Sequence, residues 1–179
     1  MKTRKMTFLG LMIGYSLALY VLETYIPNPL IVIFPGAKLG LSNIITLISL
    51  MLLGVKDTVI IVTIRVILSS IFAGPLSYLL FSIGGAYLSL LFMYLASKIK
   101  DLSLIGISII GAIGHNIGQL IVASLIIENI LAIGYLPFML MASLVTGMFV
   151  GLVSRYTIPK LKHFIVSFID IILTKYNIV

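Results

Sequence analysis

The chain has 179 residues, of which 61% are hydrophobic and only 9% charged, and its mean hydropathy is +1.26. A soluble domain carries about 25% charged residues, so this composition excludes one and indicates an all-α integral membrane protein. The net charge of +7 would suggest a nucleic-acid partner in a soluble chain, but here short basic clusters separate apolar segments, as membrane topology requires. The absence of cysteine excludes disulfides and thiolate metal sites.

Six apolar segments follow one another along the chain, separated by charged residues, prolines and glycines. A spanning helix needs about 20 residues, so six spans with short loops use nearly the whole chain. The sequence therefore predicts a single transmembrane domain over residues 1–179, with the bundle in residues 1–155. The six predicted helices cover residues 6–25, 39–54, 58–73, 76–97, 102–127 and 136–154.

The end of the chain is predicted to be separate from the bundle. Residues 156–179 form a cytoplasmic tail in this prediction, because Pro159 and several basic residues follow Arg155. The apolar run at 164–173 contains Asp170 and is too short to span a membrane. We expect it to lie at the membrane surface as a short amphipathic helix.

The stretch at residues 25–43 separates the first two helices and contains Pro27, Pro29 and Pro35, so no helix can run through it intact. Residues 30–34, between the prolines, are nevertheless fully apolar. Non-helical backbone at membrane depth must be buried in protein or line a cavity. We interpret the stretch as a cap over a binding site; the alternative is an ordinary loop that dips into the interface.

Basic residues predict the orientation of the bundle. If the amino terminus is cytoplasmic, ten of the twelve Lys and Arg residues fall on the inner side. This excess is typical of cytoplasmic loops, so both termini are expected in the cytoplasm and the cap stretch outside. The inner residues are Lys2, Arg4, Lys5, Lys56, Lys98, Lys100, Arg155, Lys160, Lys162 and Lys175.

Arg65 is the first of the polar residues that a membrane span does not explain. Placing Arg at the centre of a spanning helix costs roughly 2.5 to 3.5 kcal/mol, so such a residue normally faces a cavity or a partner. Ser69 lies one turn further out on the same face. The alternative to a functional role is a structural pair with Glu23 or Glu128.

Helix five carries the segment GAIGHNIGQL, in which His115 and Gln119 share a face and Asn116 sits beside them. The glycines at 111, 114 and 118 allow a ligand or another backbone to come close. Hydrogen bonding between helices is the alternative reading. A metal site is not expected, because no second His or carboxylate sits at ligand spacing.

These polar residues fall in the outer half of the predicted bundle, so we expect one substrate-binding cavity beneath the cap. Lys38 and Arg65 favour an anionic small-molecule ligand, although Glu23 or Glu128 could neutralise them. The expected lining residues are Glu23, Lys38, Asn43, Arg65, Ser69, His115, Asn116 and Gln119.

Helix one carries a second pattern, because Gly10, Gly14 and Ala18 form a stripe of small residues that favours close helix packing. Glu23 lies nine residues after Gly14, which is about 900° of helical rotation, so it is placed opposite the stripe. One face can then dock a partner while the other lines the cavity. Packing of the stripe against another helix of the same chain is the alternative.

With these features the chain resembles the substrate-binding S component of an energy-coupling factor (ECF) transporter. More narrowly, IPNPLIVIFPGAKLGLSN and GHNIGQL are similar to the Gx transporter family, which is also labelled heptaprenyl diphosphate synthase component I. The resemblance extends over nearly the whole chain and implies a bacterial cell-membrane protein with an S-component-like bundle. The two motifs do not identify a ligand.

The resemblance implies that the chain captures a micronutrient outside and docks on a membrane coupling subunit driven by two cytoplasmic ATPases. The docking surface of S components corresponds to Gly10, Gly14 and Ala18, although two of these are Gly where the family usually has Ala. The chain has no P-loop, so the ATPases are expected to be separate subunits. No cofactor and no nucleic-acid partner are expected.

Two other roles remain open, namely an accessory protein of isoprenoid or quinone metabolism and a scaffold for a flavin or respiratory electron-transfer assembly. Catalysis is not expected. Prenyl diphosphate synthesis of the usual kind needs aspartate-rich clusters that hold magnesium. The five acidic residues here lie far apart, at positions 23, 57, 101, 128 and 170.

Overall fold

The computed structural model describes residues 2–26, 40–72, 76–128 and 134–175, with side chains for residues 5–26, 40–71, 79–126, 128 and 134–163. Within these ranges the protein is all-helical, as the composition predicts, and most of the cap stretch, including Lys38 and the three prolines, lies outside them. The helices are α1 (Lys2–Tyr25), α2 (Asn43–Leu53), α3 (Val55–Phe72), α4 (Leu76–Ala96), α5 (Leu104–Ile127) and α6 (Leu136–Lys175).

Four of these helices, α1, α4, α5 and α6, are long and apolar enough to cross a membrane. Helix α2 has only 11 residues and so covers about 17 Å, roughly half the thickness of a bilayer core. Helix α3 has 18 residues but carries Lys56, Asp57 and Arg65. The membrane-embedded character is clear from the four long helices, while the count of six spans stays a prediction.

Helix α2 is the centre of the described bundle. Every residue from Asn43 to Leu50 is buried, and the helix packs against α1, α3, α4 and α6. Leu47 and Leu50 join the main core cluster with residues of α3, α4 and α5, while Ile48 packs with Val150 of α6. Because α2 is short and packs against four helices, the residues that lead into it, 40–42, also lie inside the bundle, where they are buried or half-buried.

Helices α4, α5 and α6 form antiparallel pairs that approach closely at glycines. A Cβ atom built on Gly118 of α5 would collide with the carbonyl oxygen of Gly84 on α4. One built on Gly147 of α6 would lie 2.6 Å from the Cα atom of Ile109 on α5. Helix α5 runs through its own glycines without a break, because these glycines serve helix packing rather than interruption.

Four predicted helix boundaries are wrong, and the first is the start of α1, which lies at Lys2 and not at residue 6. Helix α2 begins at Asn43 and not at residue 39. The break between α2 and α3, predicted at residues 55–57, lies at Gly54, where a φ of +82° ends α2 and α3 begins at Val55. Asp57 then sits in the first turn of α3, where a negative charge is favourable, and pairs with Lys5 at 2.8 Å. Helix α6 does not end near 154 but continues through Pro159 to Lys175, since an apolar helix tolerates one lost hydrogen bond.

Candidate functional site

Arg65 lies at the centre of a buried polar cluster, with only 2% of its surface exposed. Its Nη1 donates a hydrogen bond of 2.9 Å to Oγ of Ser42, at the start of α2. The ring of Tyr20 on α1 lies against the guanidinium, with 5.9 Å from the ring centroid to Cζ, within the range of a cation–π contact. The Nε and Nη2 atoms of Arg65 are buried and have no hydrogen-bond partner among the described residues.

Glu23 lies near the C-terminal end of α1 and is also buried. Its two carboxylate oxygens accept hydrogen bonds from the backbone N–H groups of Gly40, at 2.6 Å, and Leu41, at 3.0 Å. These N–H groups precede the first turn of α2, where a negative charge is favourable. Gly40 has a φ of +82°, a conformation that glycine adopts without strain. Glu23 therefore fixes the end of the cap stretch to α1.

Arg65 and Glu23 are joined through this loop end rather than as a direct salt bridge. Glu23 contacts residues 40 and 41, and Arg65 contacts residue 42, so three consecutive residues connect the two opposite charges. The described side chains of Arg65 and Glu23 therefore do not form the direct pair that was the structural alternative. Glu128, the other predicted partner, is exposed at the end of α5.

Asn43 and Ser69 lie close to this cluster but differ in their bonding. The Asn43 side chain is buried against Gly40, and its Oδ1 has no hydrogen-bond partner among the residues with described positions. The hydroxyl of Ser69 donates to the Val66 carbonyl of its own helix at 2.9 Å. Asn43 therefore offers a free acceptor, whereas the hydrogen of the Ser69 hydroxyl is already used.

His115 and Gln119 lie further across the bundle, on the face of α5 that meets α4. A Cβ built on Gly85 of α4 would come within 2.7 Å of the His115 ring and 3.1 Å of the Gln119 side chain, so both side chains fill the space that this glycine leaves. Ser82, one turn earlier on α4, is within hydrogen-bond distance of the Tyr20 hydroxyl, at 3.2 Å. The described contacts thus lead from Arg65 through Tyr20 and α4 towards His115.

Asn116 faces a different neighbour. Its Nδ2 donates to the carbonyl of Met139 at 2.8 Å and to Oγ of Ser143 at 2.7 Å, and both partners belong to α6. One step of 100° around the helix separates it from His115. Its amide donors therefore join α5 to α6, as the helix–helix alternative proposes, and do not point to Arg65.

The small-residue stripe of α1 lies on the opposite side of the helix from the cluster. Met12, Ser16, Tyr20 and Glu23 are buried, whereas Gly10, Gly14 and Ala18 are exposed. A Cβ built on Gly10 or on Gly14 would meet no described atom within 4 Å. Within the described part of the chain, the stripe is therefore not packed against another helix.

Sequence reasoning missed Tyr20, Ser42 and Ser82, which complete the surroundings of Arg65. Tyr20 precedes Glu23 by three residues and so shares its helix face, a spacing visible in the sequence. Ser42 directly precedes Asn43, but only the bend at residues 40–42 brings its hydroxyl to α3. Hydroxyl groups are too common in membrane helices to be singled out without neighbours.

Fold and site together define an all-helical membrane protein with a buried Arg–Tyr–Glu cluster where α1, α2 and α3 meet. The sequence model of the family described as heptaprenyl diphosphate synthase component I matches residues 12–157. This range covers most of the chain, and the protein belongs to that family. No curated protein and no solved structure matches the chain.

Proposed function

We propose that this chain is the substrate-binding (S) subunit of an energy-coupling factor importer, which captures a small micronutrient or cofactor precursor from outside. Such a subunit needs a buried ligand site near its outer end and a separate docking face. The observation that carries the proposal lies on α1: Tyr20 and Glu23 belong to the buried polar cluster, and Gly10 and Gly14 are exposed on the opposite side.

The ligand site in this proposal is centred on Arg65. Its lining includes the residues of the cluster, with His115 and Gln119 deeper in the bundle and Lys38 at the mouth. A buried Arg is costly in a membrane unless it faces a partner or a cavity. Here one nitrogen of the guanidinium is bonded, and the other two have no partner within the described ranges, so the side chain is held in position and can still donate further hydrogen bonds.

The proposed topology has six spans with both termini in the cytoplasm. In this topology α3 spans the membrane although it carries charged residues. Its Arg65 is buried inside the bundle and its Asp57 is paired with Lys5, so neither charge needs to face lipid alone. The Lys5–Asp57 pair and the Glu23–Gly40 bond mark opposite ends of α1. They are 18 residues apart in the helix, which is about 27 Å and close to the thickness of a bilayer core.

The docking surface in this proposal is the exposed stripe of Gly10, Gly14 and Ala18, and its occupant is a helix of a membrane coupling subunit. Small residues let two backbones approach closely, and dispersion then holds the helices together because lipid supplies no hydrophobic drive. Two cytoplasmic ATPases complete the importer, and the chain itself performs no catalysis.

Co-purification tests this proposal. The tagged chain is co-expressed with the coupling subunit and ATPases of its host, and the retained subunits are counted. We expect the parent chain to retain all three and Gly14→Leu to retain none. Gly134→Leu is the matched control, because Gly134 is exposed, far from α1 in sequence, and also has no described atom near a built Cβ.

Two results would contradict the importer assignment. One is failure of the parent chain to retain any subunit, and the other is equal retention by Gly14→Leu. A second candidate is a membrane component of isoprenoid diphosphate synthesis, which the name of the family favours. Retention of a soluble prenyl diphosphate synthase subunit in the same experiment, in place of the ATPases, would support that role.

A further inference from the structure

The two unpaired nitrogens of Arg65 lie on one edge of its guanidinium. In arginine, Nε–H and Nη2–H point to the same side and form a flat fork, and Nη1 lies on the other side. Nη1 is bonded to Ser42, while Nε and Nη2 are both buried and have no partner in the part of the chain that the structure describes. The free part of the side chain is therefore the fork that binds two oxygens of one group at once.

None of the described polar groups around Arg65 bonds to this fork. Both oxygens of Glu23 accept backbone N–H groups of the loop end, at 2.6 Å and 3.0 Å. The Ser69 hydroxyl donates to its own helix. Tyr20 presents its ring to the guanidinium, which stabilises the positive charge but supplies no oxygen to the fork.

The fork is also fixed in place. Ser42 holds one end of the guanidinium, and the Tyr20 ring lies against it, while the side chain is almost fully buried. A guanidinium that is already ordered loses little conformational entropy when a ligand binds. In a water-poor interior, a charge-assisted pair of hydrogen bonds is also much stronger than at an exposed surface.

We infer that the Nε–Nη2 edge of Arg65 binds an oxyanion that presents two oxygens to it. This deepens the proposed function, on which it rests, by naming the chemical class of the ligand. The group is the carboxylate of a small nutrient or a diphosphate. Both supply two oxygens at the spacing of the fork, and a neutral amide or alcohol supplies only one.

The arginines of the chain allow a direct test, because there are only three of them, Arg4, Arg65 and Arg155. The full chain is labelled with ¹⁵N-arginine, purified in detergent micelles and followed by NMR at the Nε–H resonances. Arg65→Lys and Arg155→Lys assign the signals. Sodium acetate and inorganic pyrophosphate are then titrated separately, with sodium chloride at matched ionic strength as the blank.

We expect the Arg65 Nε–H proton to move downfield and saturate with one of the two oxyanions, while the Arg155 signal follows the chloride blank. Saturation with acetate assigns a carboxylate ligand, and saturation with pyrophosphate assigns a diphosphate. Arg65→Lys, which keeps the charge and loses the fork, should bind the same probe at least about tenfold more weakly by calorimetry. Arg155→Lys should bind it like the parent.

The inference is overturned if neither oxyanion moves the Arg65 resonance at millimolar concentration, or if Arg65→Lys keeps the parent affinity. The resonance of the parent chain decides the question even where Arg65→Lys does not fold. Ser42→Ala adds a second variant, which keeps the fork but removes its anchor and should weaken binding severalfold. Oxyanion binding without recovery of coupling subunits would leave the site standing and refute the importer role alone.

Discussion

Glu23 and Arg65 are both buried, and their described side chains do not form a direct salt bridge with each other. Glu23 accepts hydrogen bonds from two backbone N–H groups, and Arg65 donates to a serine hydroxyl and lies near an aromatic ring. A direct pair would satisfy both charges and leave no capacity for a ligand. Separating them by the residues at 40–42 keeps the guanidinium fork of Arg65 available and fixes the loop end at the same time.

The Glu23 contact makes a first prediction. Glu23→Gln replaces a carboxylate that accepts two N–H bonds by an amide with one accepting oxygen, so one buried N–H loses its partner. We expect the variant to lose about 1–3 kcal/mol of stability, measured by unfolding in mixed micelles. Glu128→Gln, at an exposed helix end, should change stability by less than about 0.5 kcal/mol. Equal losses in both variants would contradict the assigned role of Glu23.

Asn116 makes a second prediction at the same scale. Its amide bonds to α6, so Asn116→Ala and Ser143→Ala should each destabilise the bundle, and the double variant should lose less than the sum. The coupling energy of such pairs in membrane proteins averages about 0.6 kcal/mol. A double-mutant cycle on unfolding free energies measures it. A coupling of zero would mean that Asn116 and Ser143 act independently.

The sequence predicts that α5 is a helix with a face for close packing, but it does not predict which helix packs on that face. The pattern GxxGxxxG of α5 marks a face for close approach, and the sequence leaves open whether a ligand or a helix approaches it. In the structure, α4 does so, at Gly84 and Gly85. Asn116 and His115 are neighbours in sequence, yet the 100° step between them sends their side chains to different helices. The position of a residue along its helix follows from sequence, whereas the neighbour that its side chain meets depends on how the helices pack.

The crossing of α4 and α5 makes a third prediction. A methyl group at Gly118 would collide with the backbone of Gly84, which has no flexible end that can move aside. We expect Gly118→Ala to destabilise the bundle by roughly 1–3 kcal/mol, the usual cost of overpacking. Gly10→Ala, where a built Cβ meets no described atom within 4 Å, should not destabilise it. Thermal unfolding of the two variants side by side makes the comparison.

At the scale of the whole molecule, composition alone predicts an all-helical membrane protein. The sequence also predicts the turn at residues 98–101 and the end of α5 at Glu128. It does not predict that α2 starts only at Asn43 or that it is central, because both depend on contacts of residues 40–42 and of α2 with other helices and not on local propensity. Nor does it predict α6 beyond Pro159, since continuing a helix past proline depends on the surroundings of that helix.

Topology gives a fourth prediction, because the chain has no cysteine and single cysteines can be labelled cleanly. Ile26, just beyond α1, and Ile99, in the turn after α4, are both exposed and lie at opposite ends of the proposed bundle. In intact cells, Ile26→Cys should react with a membrane-impermeant maleimide, and Ile99→Cys should react only after permeabilisation. Labelling of position 99 from outside would contradict cytoplasmic termini with six spans.

The most direct test of the central claim is native mass spectrometry of the chain released from mild detergent. We expect a population heavier than the chain by one small, water-soluble molecule bearing a carboxylate or phosphate. Arg155→Lys should keep this added mass, and Arg65→Lys should lose it. Binding of a small anionic ligand at Arg65 is contradicted if the added mass is a prenyl lipid, if it persists in Arg65→Lys, or if no small molecule accompanies the parent chain.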